Sequence, residues 1–238
     1  MEDNIDIAPL KKLAQTQRQR GQHNAAAGIL QEGIDRLEGA LTKVVSASEP
    51  ADSQEIGIAA ELADLYGILG GIRREQGELL SAAAAYDAGF RYESSPRYRL
   101  VNSYNALNRV VTRLLLTPGS LSDPDTLRAK EGIEFVDVRQ SLRELQAELR
   151  RQVNGVRSKD FWAAGDLALT CALNGDDQEA TDAFQKFTAD LPPPAAYDAY
   201  SHLIGALAQL DTPRKGSLGK VKALFEMKRR KGNGPLES

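Results

Sequence analysis

Apolar residues recur along this chain in steps of three and four. Leu30, Ile34, Leu37, Leu41 and Val44 form one stripe, Ile58, Leu62, Leu65, Leu69 and Ile72 a second, and Val138, Leu142, Leu145, Leu149 and Val153 a third. Such steps return to one face of an α-helix, whereas a half-buried strand needs strict alternation. Further helices are expected from Ile7 or Ala8 to Gly21, with Leu10, Leu13 and Ala14 inward, and over 78–92 and 98–116. A helix is expected on each side of Asn174-Gly175, another carries Tyr197, Tyr200, Leu203, Ile204 and Leu207, and a short basic one covers 218–229. SASEPADSQ (46–54), TPGSLSDPDT (117–126) and LPPP (191–194) read as links, and the second is the best candidate for an internal boundary or excursion. EGIEFVDV (131–138) reads equally as a short extended piece.

The glycine turns share a spacing. Tyr66-x-x-Leu69-Gly70 precedes Gly77, and Ala82-x-x-x-Tyr86 follows it. Ala164-x-x-Leu167-Ala168 precedes Gly175, with Ala180-x-x-x-Phe184 and Pro192 behind. Leu10-x-x-Leu13-Ala14 precedes Gly21, with Ala26-x-x-x-Leu30 behind. Small residues at Gly70, Ala82, Ala168 and Ala180 would let two antiparallel helices approach, with Leu69, Tyr86, Leu167 and Phe184 filling the gap to the neighbouring pair. Each glycine ends the first helix, where a left-handed conformation costs little.

This pattern resembles the tetratricopeptide repeat, a helix–turn–helix unit of about 34 residues with small and large positions at fixed offsets. The resemblance is best over 61–96 and 161–194 and weaker over 7–40, where Gln17 replaces an aromatic; Arg73 and Cys171 do so in the other copies. It implies an all-α fold, an α-solenoid of antiparallel helix pairs with about 9–11 helices. Residues 1–212 would form the repeat domain, with copies near 7–40, 61–96, 98–154 and 161–194 and a closing pair from 195. Residues 213–238 would form a basic helix and tail. SKDFWAAGDLALTCALNGDDQEATDAF also resembles the helical repeats beside the TRAF-binding region of some stress-kinase kinases, and similar repeats occur in bacterial signalling and conflict-system proteins.

Composition narrows the class. With 42% hydrophobic and 26% charged residues the chain is globular rather than disordered. The net charge of −3 argues against a general nucleic-acid binder, yet the segment from Pro213 onward is strongly basic. One cysteine, Cys171, excludes an internal disulfide framework and suits a reducing cytoplasm. No apolar run reaches the roughly 18 residues of a membrane span, and the acidic MEDNID start is unlike a signal peptide.

Catalytic chemistry is not legible. His23 and His202 stand at opposite ends of the chain, without zinc or Ser-His spacing. GSLGKVK (216–222) fails as a phosphate loop, since Arg214 and Val221 occupy positions that need Gly and Ser or Thr. Asp176-Asp177 suits a helix start, where carboxylates favour the dipole. Cys171 falls on an inner stripe and reads as a core residue, a reactive thiol being the alternative. No catalytic residue, metal or cofactor is expected.

By the same resemblance, a partner protein or peptide would dock on the concave face formed by the first helix of each pair. The positions implied are Lys11, Gln15 and Arg18 in the first copy and Arg74 and Glu75 in the second. Asn105, Asn108, Arg109 and Arg113 share a side of the third, and Trp162 and Leu169 belong to the fourth. The charges fit a solvated face equally, and Trp162 fits either an exposed anchor or packing on a preceding helix. Lys228, Arg229, Arg230 and Lys231 could serve a solubilising cap, an acidic protein partner, or a nucleic-acid or membrane contact. The sequence reads as a non-catalytic scaffold or adaptor, or alternatively as the regulatory subunit of a complex.

Overall fold

The computed structural model describes residues 6–45, 51–127, 132–189, 192–210 and 215–232. The described residues are all-helical: ten α-helices, two short 3-10 turns and no strand. The chain divides into two compact units, one of residues 1–112 with 132–134 and one of 113–131 with 135–238.

In the first unit α1 (Ala8–Gln19) packs on α2 (His23–Val44), α2 on α3 (Ser53–Glu75), and α3 on α4 (Leu79–Glu93). Leu30, Ile34, Leu37, Leu62, Leu65 and Ile72, members of the first two stripes, are buried in one core. Gly21 and Gly77 end α1 and α3 with φ of 73° and 77°, the left-handed conformation expected of them. Gly70 admits the Tyr86 ring so closely that an added Cβ would lie 2.7 Å from it. The small–large spacing therefore works within the α3–α4 pair itself.

Helix α3 opens on a capping box. The Asp52 carboxylate accepts from the Glu55 backbone N–H at 2.8 Å, and Glu55 accepts from that of Asp52 at 3.1 Å. The buried Glu55 carboxylate also takes both contacts from Arg97 Nη2, at 2.7 and 2.9 Å. Those contacts hold the Glu55 carboxyl below its usual range, against the opposing effect of burial.

Helix α5 spans Tyr104–Leu116 and continues past Thr112 into the second unit. It starts six residues later than its sequence predicts. The cause is capping: Asn102 Oδ1 accepts from the Ser103 N–H at 2.8 Å, and Glu93, on α4, accepts from the N–H groups of Asn105 and Ala106, both at 3.1 Å. These acceptors satisfy the open N–H groups of a first turn, so the helix begins where they are. Arg99, at φ 50°, is also outside helical geometry.

The second unit is centred on α7 (Phe161–Asn174), every residue of which from Ala163 to Leu173 is buried. Helices α6 (Val138–Val153) and α8 (Asp177–Ala189) flank it, and α10 (Lys215–Gly232) packs on α7, α8 and α9 (Pro194–Ala208). Leu218, Val221 and Phe225 carry α10 into this core, where Phe225 meets Phe184 and Phe187 at ring distances of 4.6 and 5.1 Å. Gly165 has the role that Gly70 has in the first unit, with Tyr200 lying 2.4 Å from where its Cβ would be. Gly175 ends α7 at φ 84°.

Some expectations need correction. Leu13 is 46% exposed, because Ile7, Leu10 and Ala14 already cover the α2 side of α1. TPGSLSDPDT is not open loop but two 3-10 turns, Pro118–Leu121 and Pro124–Leu127, with Ser120, Leu121 and Leu127 buried. Residues 132–137 are non-helical, and Asp137 caps α6 by accepting from the Gln140 N–H at 2.9 Å. The expected links at 46–50 and Leu191 lie outside the described residues.

Candidate protein-interaction face

The first unit carries a row of charged and aromatic side chains across its alternate helices. Lys11, on α1, forms ion pairs with Glu61 and Asp64 of α3, both at 2.5 Å. Burial pulls its ammonium down, but the two carboxylates outweigh it and the pKa ends above the ordinary value. Arg18, one turn beyond Gln15, is held by Glu75: its Nε donates to Oε2 at 2.9 Å and its Nη2 to Oε1. That hydrogen bond raises the guanidinium's pKa further. Arg74 donates to Asn108 Oδ1 on α5 and lies over the Tyr86 ring at 5.8 Å. Side chains thus link α1 to α3 and α3 to α5.

Glycines let these helices come together. Gly67 and Gly70 lie under the rings of Tyr104 and Tyr86, where a Cβ would come within 2.8 and 2.7 Å. At Gly71 a Cβ would find Tyr104 Oη at 3.7 Å, Tyr86 Oη at 3.8 Å and Arg18 Nη2 at 3.9 Å. Two phenol oxygens and a guanidinium therefore converge over bare backbone. Burial pushes the Tyr86 phenol far above its ordinary pKa, so it stays protonated. Tyr104 is 39% exposed and offers this cluster to solvent.

The residues implied by the sequence separate into two groups. Lys11, Gln15, Arg18 and Arg74 reach the surface of the unit, Gln15 the most exposed of them. Asn105 is fully buried: its Nδ2 donates to the Ala63 carbonyl and to Glu93, both at 2.8 Å, and it fills the space beside Gly89. Asn108 is also buried, donating to the Tyr104 carbonyl at 2.8 Å while accepting from Arg74. Arg109 is mostly buried against Asp87 at 2.6 Å and Glu134 at 3.3 Å, with Phe90 4.7 Å beneath it. Arg113 is completely buried. Asn105, Asn108 and Arg109 hold the first unit together rather than coat it, and Arg113 belongs to the second.

In the second unit Trp162 is partly open, and it packs on a later helix, α9, where a preceding one was offered as the alternative. It is 41% exposed, yet its ring packs 5.1 Å from Phe161 and 5.8 Å from Tyr200. Leu169 is fully buried, because α7 is covered on all sides. Lys228, Arg229, Arg230 and Lys231 continue the backbone of α10, and their side chains lie outside the described residues. Cys171 is buried and its thiol is pushed well up by burial, which removes the thiolate a nucleophile needs. Asp176 accepts from the Glu179 N–H at 3.2 Å, the capping role expected at that helix start.

Sequence reasoning missed Tyr104 as the exposed centre of the row. Its position depends on where α5 begins, and the acceptor that sets that start, Glu93, lies twelve residues away on another helix. No helix among the described residues is long and apolar enough to cross a membrane. Comparison with family models, with curated proteins and with solved structures finds no significant match to this chain.

Proposed function

We propose that this chain is a non-catalytic interaction scaffold of tetratricopeptide type, which holds a segment of a partner protein on the face formed by α1, α3 and α5. The observation that carries this reading is the chain of contacts Lys11–Asp64, Arg18–Glu75 and Arg74–Asn108 across alternate helices. Charged side chains fixed before binding lose little entropy on docking, so a shallow polar face becomes useful for recognition. Tyr104 adds an amphipathic ring that can bury its edge without losing its hydroxyl. The test is native capture with purified full-length chain at low and high salt, beside the exposed-face double variant Lys11→Glu/Arg74→Glu. Partners retained by the wild type and lost by a folded variant are the expected result; the same partners with the same salt dependence overturn it.

A second reading, the regulatory subunit of a stable complex, is favoured by apolar exposure on the second unit. Val156 is 81% exposed and Trp162 41%. Co-purification in fixed stoichiometry through high salt, abolished by Trp162→Ala and not by the charge variant, would select it.

A further inference from the structure

The second unit contains a polar cleft of roughly 520 Å³. Its polar lining is Ser122, Arg139, Arg143, Gln146, Asn174 and Asp176. Arg139, Arg143, Gln146 and Arg150 follow one another along a stripe of α6 in steps of four, three and four. The acids facing that stripe are unevenly shared. Glu179 takes Arg150 Nε at 2.6 Å and Nη2 at 2.7 Å, and it also takes Gln146. Asp176 accepts from the Glu179 N–H and, at 3.4 Å, from Gln146 Nε2.

Arg139 and Arg143 are left without a carboxylate among the described residues. Arg139 spends Nε on the Leu121 carbonyl at 2.7 Å, which fixes its direction, and Arg143 makes no hydrogen bond there. Two like charges four residues apart on a helix repel each other. Both are exposed, so solvent screens that repulsion while an oxyanion can reach them, and a guanidinium fork matches oxyanion geometry. The lining also carries acceptors, from the C-terminal end of α7 and the residues after it. The Asp176 carboxylate stands there, and the Asn174 amide, turned by its donations to the Leu142 carbonyl at 3.1 Å and to Gln146 Oε1 at 2.6 Å, keeps Oδ1 as an acceptor. Gln146, largely buried, is fixed between Glu179 and Asn174.

We infer that this cleft binds a small solute with an oxyanion at one end, held by Arg139 and Arg143, and an N–H or O–H donor at the other, held by Asp176 and Asn174. The full chain carries one tryptophan, Trp162, in this unit, so its fluorescence reports unfolding here. Melts in inorganic phosphate and in phosphoethanolamine, each against sodium chloride of matched ionic strength, test the inference. Both probes should raise the midpoint saturably by roughly 2–4 °C. Arg143→Gln, at an exposed site, should abolish both shifts without moving the unliganded midpoint. Asp176→Asn, which keeps the capping acceptor of α8, should weaken the phosphoethanolamine shift and spare the phosphate one. As a second measurement, phosphorus NMR of inorganic phosphate should show broadening by wild-type protein that Arg139→Gln removes. No saturable shift, or equal shifts in wild type and Arg143→Gln, would overturn the assignment.

Discussion

Single side chains decide how closely these helices approach. Gly70→Ala forces a Cβ into the Tyr86 ring, and a buried ring has nowhere to move, so the first unit should lose about 1–3 kcal/mol in denaturant titration. Gly28→Ala is the matched control: no atom lies within 4 Å of the new methyl, and helix α2 should gain up to about 1 kcal/mol. Equal effects at the two sites would show that propensity, not packing, governs both. Glu179 sets an acid limit for the second unit. Its hydrogen bonds from Arg150, ahead of the opposing burial, hold its pKa at about 2, below an ordinary 4.5. A depressed carboxylate contributes stability above the unfolded value and loses it as pH falls toward the folded one. Denaturant midpoints should therefore decline between about pH 4.5 and pH 2, and Glu179→Gln should flatten that decline.

The helices themselves were largely legible in the sequence, because their leucine stripes depend on spacing alone. The stripe from Val138 to Val153 marks α6, and the glycines at 21, 77 and 175 mark their turns, since a left-handed residue has few alternatives to glycine. What was not legible depends on partners distant in the chain. Glu93 decides where α5 begins, the several helices packed around α7 bury Leu169, and neither leaves a periodic trace. The candidate face is half legible: of the positions the resemblance implies, Lys11, Gln15, Arg18 and Arg74 reach the surface, while Asn105 and Asn108 are buried polar packing. Polar residues at helical spacing look the same on a surface as in a satisfied interior. Glu55 shows how one residue serves two elements, as cap for α3 and as counter-ion for Arg97. Asp52→Ala removes only a cap and should cost about 0.5–2 kcal/mol. Glu55→Ala removes its half of that cap and also a counter-ion of Arg97, so it should cost more than Asp52→Ala. A smaller loss from Glu55→Ala than from Asp52→Ala would reject that account.

At the scale of the molecule, each unit closes its own core. Amide exchange by mass spectrometry should then register Gly70→Ala as lost protection in residues 6–93, with 138–208 keeping theirs. Gly165→Ala, against Tyr200, should do the reverse. Loss of protection in both segments from either change would make the chain one cooperative body. The buried cysteine has a consequence for kinetics. Cys171 is the sole thiol in the chain, is wholly covered, and has its proton held tightly by burial. An alkylating reagent can reach it only while α7 is uncovered, so the rate of modification counts those openings one by one. The protein thus carries its own clock for the loosening of its second unit, readable in a crude extract without any added label on the chain.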